Sequence, residues 1–180
     1  MTCIVGLIYD DKVYIGGDSA GVSGLDVQVR ADEKVFLKDN MIFGFTSSFR
    51  MGQLIRYKFQ VPEQSVKKDD YHYMCTDFID GLRECFKNGG YSKVDSNREE
   101  GGTFLVGYKG QLYCIYDDFQ VAKPTEDYDS CGCGAKYALG ALRILRKDIT
   151  LKPKQMITKA LETAEFFSGG VSAPFNIVEV

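Results

Sequence analysis

The sequence predicts a mixed α and β domain that runs as one unit over residues 1–180. Three observations carry this. Short apolar runs separated by turn residues occupy residues 2–19, 34–46 and 103–116. Two longer stretches, 69–88 and 154–167, repeat apolar residues at helical spacing instead. The length, 180 residues with 44% hydrophobic, suits a single core able to bury about 70% of the unfolded surface.

Taken in order, residues 2–9 (TCIVGLIY) read as a buried strand. Asp10 and Asp11 supply the turn, and residues 12–19 (KVYIGGDS) return as its hairpin partner. Residues 20–23 read as an extended or loop segment. Residues 34–38 and 41–46 are strands joined by Asp39-Asn40, good chemistry for a two-residue turn. Residues 49–59 form a helix with Met51, Leu54, Ile55 and Tyr57 on its apolar side, and residues 69–88 form a second. Gly89-Gly90 ends that second helix. The polar stretch 91–102 reads as a solvated loop, and 103–108 with 111–116 as a hairpin across Lys109-Gly110. Glycines at 132 and 134 make a tight turn opening a helix rich in small residues. A last helix over 154–167 leads to a closing strand over 175–180.

Charge and composition exclude several function classes. The net charge is −3 with no basic run, which argues against nucleic-acid binding. No apolar run approaches the roughly 18 residues needed to cross a bilayer, and no secretory pattern opens the chain, so a cytoplasmic protein is expected. The six cysteines are scattered among apolar segments, as small buried hydrophobes are. The pair Cys131 and Cys133 is spaced too tightly for common zinc sites, and the single histidine, His72, is distant in sequence. No metal or cofactor is expected.

The N-terminal stretch carries the chemistry. A threonine hydroxyl is a poor nucleophile unless a base removes its proton, and a chain that begins with threonine supplies one in its own amine. The reference pKa of such an amine is about 7.7 to 8.0. Loss of Met1 would place Thr2 in that position. The 2–19 hairpin returns Asp18 toward Thr2. An apolar strand end makes an isolated carboxylate costly, and Lys34, opening the next strand, is the obvious cation. An ammonium beside Thr2 and its amine lowers their proton affinity. Cys3, its neighbour on the strand, points to the opposite face. The same residues also allow a purely structural ion pair.

Thr2, then Gly-Gly-Asp-Ser at 16–19, then Lys34-Val35-Phe36 and Met41-Ile42-Phe43-Gly44-Phe45-Thr46, resemble the catalytic β subunits of proteasomes and the bacterial peptidase HslV. The resemblance covers nearly the whole chain. It implies an N-terminal nucleophile hydrolase, an α+β fold built as a four-layer αββα sandwich, and a threonine endopeptidase. Thr2 is then the nucleophile, with Asp18 and Lys34 supporting it. The backbone N–H of Ser47 stands where the family uses a glycine N–H in its oxyanion hole. Cys133 stands where a serine bonds near the amine, Glu165 where an aspartate does, and Ser168 matches a family serine three residues further on. Gly21 and Val22 would pair with extended substrate, and Phe36, Phe45 and Phe49 would line the pocket for the residue before the scissile bond. The resemblance further implies a peptide or unfolded-protein substrate, a homo-oligomeric ring and an ATP-dependent unfoldase. Ser47, Cys133 and Glu165 depart from the family pattern. Two other readings therefore stand beside the peptidase: an inactive structural or regulatory subunit, and an N-terminal nucleophile amidase for a small amide.

Overall fold

The computed structural model describes residues 1–95 and 97–180. In chain order the strands are β1 (Cys3–Tyr9), β2 (Lys12–Gly17), β3 (Ala20–Ser23), β4 (Asp26–Val29), β5 (Val35–Lys38) and β6 (Met41–Phe45). Helices α1 (Phe49–Tyr57), α2 (Asp70–Tyr73) and α3 (Ile79–Asn88) follow, α2 and α3 being joined by one π-helical turn, Met74–Phe78. Then come β7 (Lys93–Asp95), β8 (Arg98–Glu100), β9 (Phe104–Tyr108), β10 (Gln111–Ile115), β11 (Val121–Ala122) and β12 (Tyr128–Gly132). Helices α4 (Ala135–Leu145) and α5 (Pro153–Phe167) and strand β13 (Asn176–Glu179) complete the chain.

Two antiparallel sheets organise these elements. One runs β12-β1-β2-β13 and the other β11-β10-β9-β6-β5. Asp10 and Asp11 both adopt positive φ, the conformation that a tight hairpin turn between twisted strands demands. The apolar runs are continuous along β1, β6, β9 and β10 because these central strands are buried on both faces. Along β1, Cys3, Val5 and Leu7 pack with Ala138, Leu142, Ile157 and Leu161 of α4 and α5, while Ile4 packs against the other sheet. Along β6, Met41, Phe43 and Phe45 face α1 and α3, while Ile42 faces the first sheet. Three cores result, one between the sheets and one under each helical pair.

The structure differs from the sequence expectation at four places. The stretch over 69–88 is not one regular helix. The Thr76 hydroxyl donates to the His72 carbonyl at 2.7 Å, within the turn that widens. Of the loop expected over 91–102, Ser96 lies outside the described residues, and the flanking residues pair as β7 and β8, with Arg83 bound to Glu99 at 2.7 Å. Residues 20–23 form a short hairpin with β4. Residues 128–132 form a sheet strand rather than a simple turn, pairing Cys3 with Gly132.

Candidate active site

The two sheets place three strand ends together. Ile4 pairs with Gly17, so Asp18, one residue past β2, sits across from Cys3. The Asp18 N–H donates to the Cys3 carbonyl at 3.3 Å, and the Cys3 N–H donates to Asp18 Oδ1 at 3.0 Å. Lys34 immediately precedes β5 and is held to the second sheet by its carbonyl, which accepts from the Phe45 N–H at 3.0 Å. Its side chain crosses from one sheet to the other.

Lys34 Nζ lies 2.8 Å from Thr2 Oγ1 and 2.9 and 3.0 Å from the two oxygens of Asp18. Thr2, Asp18 and Lys34 are all buried, at 4%, 2% and 2% exposure. Asp18 also accepts from the Ala20 N–H at 2.9 Å and, at the long distance of 3.4 Å, from the Ser172 N–H. A buried carboxylate so surrounded has its charge met on both oxygens. Burial lowers the proton affinity of the Lys34 ammonium below the ordinary lysine value, and the Asp18 carboxylate opposes that shift.

Beside the Thr2 nitrogen lies Cys133, with Ser168 behind it. The Thr2 N–H donates to Cys133 Sγ at 3.2 Å, and that sulfur is 3.3 Å from Ser168 Oγ. With Met1 attached, this nitrogen is a peptide N–H rather than an amine. The Thr2 hydroxyl also donates to the Met1 carbonyl. Close approach here requires a glycine at 132: its φ is +100°, and a Cβ there would collide with the Thr2 carbonyl. Cys3 faces the helices, where burial pushes its thiol up to about 12.

A cleft of about 310 Å³ opens onto Thr2 and Lys34, lined in part by Gly21, Val22, Phe45, Ser47 and Phe49. Ser47 has φ of +61°, the left-handed conformation that favours glycine, and its exposed side chain accepts from the Thr103 N–H at 3.1 Å. Among the described residues the Ser47 N–H meets no acceptor. The arrangement thus joins a hydroxyl, a buried cation and a free backbone donor along one cleft.

Two expected site residues are placed elsewhere. Phe36 lies behind the cleft, 3% exposed and stacked on Phe43 at 5.7 Å between centroids, because alternation on β5 turns it toward the helices. The Glu165 carboxylate accepts from the Ala173 N–H at 2.8 Å, so this contact belongs to the chain beyond α5 and not to the Thr2 nitrogen. Sequence reasoning also missed Arg30. Its guanidinium lies 3.7 Å over the Phe49 ring, is held by Asp32 at 2.6 Å, and lines the cleft. An aromatic that opens α1 gives no hint that an arginine just past β4 will cover it.

No family model matches the chain. Among solved structures, it superposes on BPH from Thiobacillus denitrificans, determined in complex with epoxomicin. The TM-score is 0.82 at 17% identity, over 99% of this chain and 98% of that one. HslV from Trypanosoma brucei matches with TM-score 0.70 at 17% identity over 99% and 98% of the two chains. The Anbu (Gly-1) mutant from Hyphomicrobium sp. strain MC1 matches with TM-score 0.68 at 14% identity, over 100% of this chain and 82% of that one. The fold of this chain is that of HslV and its structural relatives, the group whose N-terminal motifs its own sequence resembles.

Proposed function

We propose that this protein is a threonine peptidase acting through Thr2 once Met1 has been removed. The observation that carries the reading is the contact of Lys34 Nζ with both Thr2 Oγ1 and Asp18, buried at the mouth of a cleft. The Thr2 hydroxyl attacks the substrate carbonyl carbon and its proton passes to the Thr2 amine, directly or through water. Lys34, fixed by Asp18, supplies positive potential that favours the alkoxide-like state. The Ser47 N–H donates to the tetrahedral oxyanion. Collapse breaks the C–N bond as the Thr2 ammonium gives its proton to the leaving nitrogen, which departs as the amine product, and water then hydrolyses the ester on Thr2 to the acid and regenerates the hydroxyl. Cys133 and Ser168 hold the nitrogen in place. Gly21 and Val22 pair with the extended substrate, and Phe45 and Phe49 form the side-chain pocket.

The remaining parts of the reading rest on the resemblance. They are a homo-oligomeric ring with the cleft facing a chamber, and an ATP-dependent unfoldase that feeds it peptide or unfolded protein; a single cytoplasmic domain is proposed from the chain's length and composition. The three cores support an αββα order of four layers. A chain that kept Met1 would have no free Thr2 amine, and the inactive-subunit reading would then apply. Intact mass spectrometry of protein from its native host tests processing, with a chain one methionine lighter expected. Processed protein is expected to cleave short reporter peptides, and Thr2→Ala to abolish the cleavage. Processed protein that cleaves only small amides would move the assignment to the amidase, and one that cleaves nothing, even with an unfoldase, to the inactive subunit.

A further inference from the structure

The chain between α5 and β13 forms a strap across the back of the site. Ser172 accepts from the Ser19 N–H at 2.9 Å, Pro174 accepts from the Ser19 hydroxyl at 2.6 Å, and the Ser172 N–H reaches Asp18. Further on, the Asn176 side chain donates to the Val35 carbonyl at 3.1 Å. The strap therefore touches the residues next to both members of the Asp18–Lys34 pair. What ties it to the helix layer is Glu165, in the last turn of α5, which accepts from the Ala173 N–H between the two residues that bind Ser19.

We propose that Glu165 is a positioning residue that sets Asp18, and through it Lys34, by fixing the strap over residues 172–174. The glutamate length has a physical reason. The acceptor must reach from the helix to a backbone N–H eight residues later, and an aspartate would fall one methylene short. The contact needs an acceptor oxygen at that reach, and it does not need a charge near the Thr2 nitrogen. This inference rests on the proposed peptidase only for its catalytic consequence; the strap's order is a property of the folded chain.

Three variants separate reach from charge. Glu165→Gln keeps the acceptor and loses the charge, Glu165→Asp keeps the charge and loses the reach, and Glu165→Ala loses both. Amide hydrogen exchange at Ser19, Ser172 and Ala173, compared with core amides of β1, reads the strap without any substrate. The alkaline limb of kcat/KM reads the setting of Lys34. Exchange at the three amides is expected to speed up about fivefold or more in the Asp and Ala variants, the effect of one lost hydrogen bond, and to stay within about threefold of wild type in Gln. The alkaline limb is expected to shift in Asp and Ala with kcat falling more than KM changes, and to hold in Gln.

A Gln variant as impaired as Ala, with Asp behaving like wild type, would overturn the proposal and make the charge itself the functional element. Unchanged exchange in Asp and Ala would overturn it equally. If wild-type processed protein has no peptidase activity, the peptidase reading fails while the exchange comparison still decides whether Glu165 orders the strap.

Discussion

Lys34 and Asp18 meet as a buried ion pair 2.9 Å apart, with their side chains 1% and 0% exposed, and the ammonium also donates to the Thr2 hydroxyl. Such a pair contributes little net stability, because desolvation offsets most of the attraction. Its location at three strand ends, against a hydroxyl, makes it a device for positioning charge.

Breaking the pair from one side is therefore expected to be costly. Asp18→Ala leaves a buried ammonium without its counter-ion and removes the acceptor for the Cys3 and Ala20 N–H groups. A loss of about 3–5 kcal/mol in urea unfolding is expected. Replacing both partners together, with Asp18→Asn and Lys34→Met, is expected to cost less than Asp18→Ala alone, while peptidase activity is lost in each. With Asp18→Asn and Lys34→Met also measured singly, a double variant whose cost equals the sum of the two would show that the charges are not coupled.

The pH dependence follows from the direction of the Lys34 shift. Burial lowers its proton affinity, so the alkaline limb of activity is expected below the ordinary lysine value of about 10.4. For stability, the unfolded chain binds this proton more tightly than the folded chain does. The cost of burying the charged ammonium is thus present in full below the folded pKa and disappears as pH rises toward the unfolded value. Lys34 therefore contributes a rising stability with pH in that window. Asp18, Thr2 and the Phe49 ring at 5.8 Å surround it, and the titratable groups that act on it are Asp18, Cys133 and, from the far face of β1, Cys3. Tyr113, pushed up to about 12 by burial, titrates in the opposite sense at alkaline pH. The difference between wild type and Lys34→Met in urea midpoints from pH 7 to 10 isolates the lysine, and wild type is expected to gain on the variant as pH rises.

Much of this site was legible because local rules happened to coincide. The hairpin that returns Asp18 to Thr2 was readable from Asp10-Asp11 between two apolar runs, and the Lys34 strand from the turn at Asp39. Phe36 was misplaced because period-2 alternation gives two faces but does not say which one meets the cleft when both are buried. The resemblance puts Glu165 at a position that supports the amine, yet its partner is set by the path of residues 172–174, which carries no periodic signal. Arg30 escaped for the same reason: its place over Phe49 depends on how the β3–β4 hairpin folds back, a long-range outcome.

Ser47 combines two opposing local effects. Its left-handed backbone costs about 1 kcal/mol relative to glycine, and its hydroxyl bond to the Thr103 N–H returns a similar amount. Ser47→Gly is accordingly expected to change unfolding free energy by less than about 1 kcal/mol and to keep kcat within a few-fold, since the backbone donor remains. Ser47→Pro removes that donor and fixes φ on the wrong side, so activity is expected to vanish. A Ser47→Gly variant that loses activity would assign the hydroxyl, rather than the N–H, to the reaction.

Gly132 links sheet geometry to Thr2 in the tightest way. It faces Cys3 across the β1–β12 ladder, its φ of +100° is strained for any L side chain, and an added Cβ would meet the Thr2 carbonyl and, at 3.3 Å, the Thr46 methyl. Neither the backbone of Thr2 nor the strand behind it can yield without moving the hydroxyl from Lys34. Gly132→Ala is therefore expected to destabilise the protein by more than about 1 kcal/mol and to lower kcat far more than it raises KM. Gly140 serves as the control, because a Cβ there meets nothing within 4 Å. Gly140→Ala, inside α4, is expected to be neutral or stabilising by up to about 1 kcal/mol with activity intact. If Gly132→Ala retains wild-type kcat, the threonine is not held in place by its own strand, and the case for a preorganised nucleophile at this strand end fails.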